Sequence, residues 1–190
     1  MTLCTSEHLT RIKLLGTGSY SKVYLVKDSQ DNEFALKEHA LSKSDVWAAY
    51  HDTDALMKLR NVPEVVNVKN VCYRKDSIDI IMELMDVNLW EYIHQTSLDE
   101  RLKHVEKLLN TMLRILYIFR SINLVHYDIK SANILINQNY DIEFKISDFG
   151  LSYFPIKEHS PPDNEVYSIV YRPPEFRRSR RDHRGQQQTR

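Results

Sequence analysis

Apolar and polar positions alternate along the first forty residues in the manner of strands. Ile12 and Leu14, then Val23 to Val26, flank a turn rich in Gly and Ser, and E-F-A-L-K-E at 33–38 follows the turn-forming run D-S-Q-D-N. The period then changes. Val46, Ala49, Thr53, Leu56 and Leu59 recur at helical spacing, which predicts a helix capped by Ser44 and running to about Arg60. Two short strands are predicted at Asn70–Arg74 and Ile78–Glu83, separated by the charged turn at Lys75–Ser77. A long helix is expected from Asp99 to Ile122, its apolar stripe formed by Leu102, Val105, Leu109, Met112, Leu116 and Phe119. Lys103, Lys107 and Arg114 lie away from that stripe. I-L-I at 134–136 and F-K-I at 144–146 are the remaining strand candidates. No internal repeat interrupts this order. A β-rich layer with one helix followed by a helical part implies an α+β fold of two lobes with a cleft between them.

Composition changes this picture only at the C-terminal end. Hydrophobic residues make up 42% and charged residues 27%, which is ordinary for a soluble globular domain. Basic and acidic groups balance, but from Arg172 onward there are seven Arg against two acids, so a mildly acidic body ends in a basic tail. That excludes a nucleic-acid surface dominating the chain. Residues 177–190 contain no apolar side chain and are expected to be disordered. Cys4 and Cys72 suggest no disulfide framework, and Cys72 reads as a small buried hydrophobe in a strand. No apolar run resembles a signal peptide or approaches the ~20 residues of a membrane span. A cytoplasmic or nuclear location, without membrane attachment, is the resulting expectation.

The chemistry sits in a few short runs. G-T-G-S-Y-S-K-V at 16–23 can form a hairpin whose backbone lies close over phosphates, where a side chain at Gly16 or Gly18 would obstruct. Taken alone, such a turn is explained as well by the need to join two strands. Lys37, in the following strand, gains meaning only with partners. Those are H-Y-D-I-K-S-A-N at 126–133, D-F-G fifteen residues after Asn133, and P-P-E at 173–175. Phosphoryl transfer asks for this set: a carboxylate to orient a hydroxyl, a carboxylate and an amide for a metal, and a cation for the phosphates.

In order and spacing these runs resemble the catalytic core of the eukaryotic-type serine/threonine protein kinases, including the catalytic loop and metal-binding motif of that family. The resemblance implies an N-terminal sheet-and-helix lobe over 8–85 and an incomplete helical lobe over 86–176. It implies Asp128 as catalytic base, Lys130 neutralising the γ-phosphate of ATP, Asn133 and Asp148 holding Mg²⁺, and Lys37 on the α/β-phosphates. Val23 and Ala35 would roof the adenine with Leu135 as its floor. Met82 would stand as gatekeeper, and the backbone of Glu83 and Met85 would pair with the base. Lys130, two residues after Asp128, and Ser168 match the Ser/Thr class, and Y-R-P-P-E is similar to the cyclin-dependent and related kinases. The implied partners are a protein substrate with Ser or Thr and, as a possibility left open, a regulatory protein.

The chain departs from the family pattern in four places. Ser21 replaces the third glycine of the hairpin. No Glu is available on the first helix to pair with Lys37, which leaves Asp52 and Asp54; Asp52 shares the apolar face with Leu56 and Leu59 and is the better candidate. Tyr127 replaces the Arg that pairs with a phosphorylated activation segment, so activity independent of phosphate on Ser160 or Ser168 is expected. After Glu175 the family's further helices are not recognisable, so the chain reads as a C-terminally truncated kinase. A catalytically impaired, pseudokinase-like module that binds nucleotide or a partner therefore stays open beside the active enzyme.

Overall fold

Strand β1 (Thr10–Thr17), β2 (Ser21–Lys27) and β3 (Glu33–Ala40) form consecutive antiparallel hairpins. The computed structural model describes residues 9–42, 46–139, 141–155 and 171. The β2–β3 turn is built by Asp28, whose Oδ1 accepts from the backbone N–H groups of Gln30 at 2.8 Å and Asn32 at 2.9 Å. An aspartate that satisfies turn amides in this way fixes the chain reversal locally. β3 continues to β5 (Ser77–Glu83), and β4 (Val68–Tyr73) closes the edge, giving the order β1-β2-β3-β5-β4. Helix α1 (Val46–Lys58) covers one face. Its N-terminal capping residue, Ser44 by expectation, lies outside the described residues.

Side chains along β3 alternate between two environments. Ala35, Lys37 and His39 point to the face shared with α1, whereas Leu36 joins Val26, Cys72 and Ile81 in a small cluster on the other face. Cys72 is buried as anticipated, but it is disulfide-bonded rather than a plain apolar thiol, with its partner outside the described residues.

Beyond β5 the chain forms β6 (Val87–Asn88), α2 (Leu89–Gln95), α3 (Leu98–Ser121), β7 (Ile134–Asn137) and β8 (Glu143–Ile146). The sequence pattern had not marked β6 or α2, which are too short for a period to emerge. What starts α2 is a capping box: Asn88 accepts from the Glu91 N–H, and Glu91 accepts from the Asn88 N–H. Ser97 caps α3 through the Glu100 N–H. The two lobes share a single apolar core. Val65 and Val66 from the segment after α1 lie beside Ile146 of β8, where Val66 N donates to Ile146 O at 3.0 Å and Ile146 N donates to Glu64 O at 2.8 Å.

The long helix corrects one expectation. Its buried face is Thr111, Ile115 and Phe119, with Leu108, Met112 and Ile118 packed alongside. Of the stripe read from the sequence, Leu102, Val105, Leu109 and Leu116 are exposed. The apolar arc is wider than one face, and at 100° per residue the two halves are centred roughly 120° apart. Only one half meets the described core.

Candidate active site

Lys37 reaches inward from β3 and is buried with its Nζ between two carboxylates. It lies 2.6 Å from Asp52 Oδ2 and 2.8 Å from Asp148 Oδ1. Burial disfavours the ammonium, but Asp148 and Asp52 outweigh that and hold Lys37 above the ordinary lysine range. The ambiguity on α1 is resolved by geometry. Asp52 meets Lys37, whereas Asp54 turns outward to Lys58 at 2.7 Å. Asp52 is fully buried, which by itself would raise its pKa; the charge of Lys37 and the bond from His39 reverse the effect and hold it well below the usual carboxylate range. Asp148 is held low as well, first by Lys37.

Asp52 has two further partners that the sequence reading did not anticipate. His39 Nε2 lies 2.8 Å from Oδ2, and the backbone N–H of Phe149 donates to Oδ1 at 2.8 Å. Phe149 is completely buried against the His126 ring at 4.6 Å and Phe119 of α3 at 5.9 Å. His126 is fixed in turn: Nε2 lies 3.2 Å from Ser147 O, and Nδ1 accepts from the Asp128 N–H at 3.3 Å. Burial pushes its pKa down, so the ring is neutral with one donor and one acceptor, as these contacts require.

That chain of contacts delivers Asp128 to the same cleft. Its Oδ2 is 2.6 Å from Lys130 Nζ and 3.0 Å from Asn133 Nδ2, and Asn133 Nδ2 also donates to Asp128 O at 2.8 Å. A short 3₁₀ turn at Ser131–Asn133 sets the spacing of these groups. Asp148 follows β8 with φ near 63°, a left-handed backbone that turns its carboxylate towards Lys37. Gly18, Ser21, His39, Asp128, Lys130 and Asp148 thereby come together around one cavity of about 330 Å³.

At the hairpin, the reason for glycine is not internal. Neither Gly16 nor Gly18 has positive φ. A Cβ at Gly16 would meet nothing within 4 Å, and one at Gly18 would make only ordinary contact with Ser21. The chain could carry side chains there without clash.

Three of the apolar candidates, Val23, Ala35 and Met82, share one face of the sheet. Val23 sits opposite Lys37 in the β2–β3 register, and Ala35 opposite Met82 in the β3–β5 register. Ala35 and Met82 are buried, while Val23, Met85 and Leu135 are partly buried and pack on the main core. At the end of β5 the Glu83 N–H donates to Asn67 O at 3.0 Å and is not available to a ligand. The Glu83 side chain holds Lys145 at 2.7 Å and the Asn67 N–H at 2.6 Å, which ties the interlobe segment to β8. Tyr171 places its hydroxyl 3.0 Å from Ser131 Oγ of the loop at 126–133. Ser160, Ser168, the P-P-E run and the 177–190 tail lie outside the described residues.

The protein kinase domain family matches residues 9–188. A probable cyclin-dependent serine/threonine-protein kinase of Dictyostelium discoideum is 30% identical over 167 residues, covering 87% of this chain and 12% of the relative. Cyclin-dependent kinase 1 of Encephalitozoon cuniculi is 26% identical over 180 residues, covering 90% of this chain and 59% of the relative. The chain thus spans under two thirds of either relative. With the α+β architecture, the buried lysine–aspartate pair and the loop around Asp128, a match over nearly the full length shows that this chain belongs to the protein kinase domain family.

Proposed function

We propose that the chain transfers the γ-phosphate of ATP to a serine or threonine hydroxyl of a protein substrate. The observation that carries this reading is the position of Lys37 between Asp52 and Asp148, with Asp148 lining one cavity together with Asp128 and Lys130 and with Asn133 bonded to Asp128. The donor set fits Mg²⁺, a hard cation that takes oxygen ligands and keeps few protein carboxylates. Asp148 offers a carboxylate. Asn133, whose Nδ2 is engaged with Asp128, keeps its amide oxygen for a cation. When bound, Mg²⁺ would neutralise phosphate charge.

The chain's own residues supply the rest. Lys37 holds phosphate oxygens; the side-chain-free positions at Gly16 and Gly18, unneeded by the fold, let backbone approach them. Asp128, fixed by two donors on Oδ2, orients the substrate hydroxyl, and Lys130 stands beside it to meet developing charge. Val23, Ala35, Met82 and Leu135 would supply apolar contacts for the base, with the backbone of Glu83 and Met85 beside it. The relatives' names point to a regulatory protein partner. The outward face of α1 carries exposed Val46, Trp47, Tyr50 and Met57, and a partner pressing there would act on the helix that bears Asp52.

A second reading, a nucleotide- or partner-binding module without turnover, is favoured by the exposed apolar arc of α3. Asp128→Asn separates the two. Under the first reading phosphotransfer falls by about 10²–10⁴-fold, while saturating Mg-ATP at a hundredfold over Kd still stabilises the protein by ~2.7 kcal/mol. Under the second, the stabilisation remains and there is no transfer to lose.

A further inference from the structure

Position 39 is an anomalous place for a histidine. It lies on the inward row of β3, two residues beyond Lys37 and between Ser21 and Ile78 of the flanking strands, and it is 1% exposed. An aliphatic side chain would fill such a position without desolvating any polar atom. The imidazole instead leaves its Nδ1 buried with no hydrogen-bond partner among the described residues. A half-satisfied buried ring costs stability, so its other nitrogen must return something. That nitrogen, Nε2, sits 2.8 Å from Asp52 Oδ2, the same oxygen that lies 2.6 Å from Lys37 Nζ. Facing a carboxylate, Nε2 carries the hydrogen and donates it.

Asp52 is also the residue where the chain departs from the Glu found in the kinases it resembles. The shorter side chain has one methylene less with which to span from α1 to β3 and to the segment after Asp148. Its carboxylate is nevertheless held from three directions: by Lys37, by the Phe149 N–H on Oδ1, and by His39. Two of these are ends of the catalytic apparatus. The third, His39, borders the cavity, but it is 1% exposed and spends its Nε2 on Asp52.

We propose that His39 is a positioning residue for phosphotransfer: its Nε2–H fixes the Asp52 carboxylate at the one place from which that short side chain can hold both Lys37 and the Phe149 backbone. This rests on reading the cleft as a phosphotransfer site, but the clamp itself can be observed without turnover. His39 acts through Asp52, to which its Nε2 is committed.

The test uses the full chain with His39→Leu, which keeps bulk and removes the donor, and His39→Gln, whose terminal amide can replace Nε2–H. The first readout is the amide proton of Phe149 by NMR, which reports the bond to Asp52 Oδ1 in the absence of nucleotide. We expect it to move upfield and lose exchange protection in His39→Leu and to stay near its original position in His39→Gln. The second is steady-state kinetics, where His39→Leu should lower kcat/KM for ATP by about tenfold to a hundredfold, as for loss of a hydrogen bond to a charged group, with His39→Gln recovering most of it. If His39→Leu does not fold, His39→Ala combined with Asp52→Glu takes its place: the longer carboxylate fills the vacated space and retains the Phe149 signal, whereas His39→Ala alone loses it. An unmoved Phe149 amide in His39→Leu, or a His39→Gln protein no better than His39→Leu, would overturn the proposal and leave His39 as packing. A chain that shows the Phe149 changes but never transfers phosphate would overturn the phosphotransfer reading and retain the clamp.

Discussion

Helices α1 and α3 are both amphipathic and both reach Phe149, α1 through Asp52 and α3 through Phe119, yet their positions are specified in different ways. α1 buries six of its 13 residues, and the central one is a charge: Asp52, held by Lys37, His39 and the Phe149 amide. α3 buries only three of 24, and Leu98, Leu102, Leu109, Leu113 and Leu116 lie in the open among the described residues. A polar clamp has few geometries that satisfy it, so it fixes α1 against β3 to within a hydrogen bond's tolerance. An apolar stripe specifies only that something should cover it. The two helices communicate through one stack, Phe119 of α3 on His126 and Phe149, whose backbone reaches Asp52. Precision in this domain comes from α1, and α3 supplies a platform.

The largest effect expected from breaking this contrast is Asp52→Ala. It leaves a buried imidazole without its carboxylate and Lys37 with Asp148 alone, so denaturant unfolding should show a loss of about 3 kcal/mol, the lower end of the ~3–5 for broken buried pairs. A loss below about 1 kcal/mol would mean that α1 is held by packing like any other helix. On the buried side of α3, Ile115→Ala should cost about 2–5 kcal/mol by the same measurement. That result would show that the inner face of α3 is a true core face despite the small number of its buried residues.

Acidification tests the stack between them. Burial depresses the pKa of His126 below its ordinary 6.5, so the unfolded chain takes up the proton first. The stabilisation is therefore complete above about 6.5 and is lost as pH falls from there through the folded-state value, at up to ~1.4 kcal/mol per pH unit. His51 is shifted in the same direction by burial. The share of His126 is the part of the slope that disappears in His126→Asn, read from urea midpoints between pH 7 and pH 5. The smallest effect is expected from Leu109→Glu on the exposed arc, within about ±0.5 kcal/mol. A cost above ~2 kcal/mol there would erase the contrast, because it would show the arc to be covered by chain outside the described residues.

Much of this was legible without coordinates, for identifiable reasons. β2, β3 and β5 follow alternation bounded by turn residues, and the placement of Asp52 rather than Asp54 beside Lys37 follows from helical phase with Leu56 and Leu59. Phase failed on α3, where apolar residues occupy more than one face and periodicity cannot say which half is inside. β6 and α2 were too short to show a period.

What the sequence by itself determined was the inventory and spacing of the chemistry: Lys37, Asp128, Lys130, Asn133 and Asp148 in an order that few other folds use. Those spacings are local, set by single turns and by the strand and helix periods, and a chain carries them wherever it goes. What only the tertiary structure decided were contacts between separate elements: the Phe149 amide on Asp52 and Glu83 on Lys145, which join segments far apart in sequence, and His39 as the third donor to one short carboxylate on the next element. Nothing in a strand pattern distinguishes an inward histidine that merely fills space from one that donates a hydrogen bond. That depends on where the following helix puts its carboxylate, and only the packing of α1 on β3 settles it.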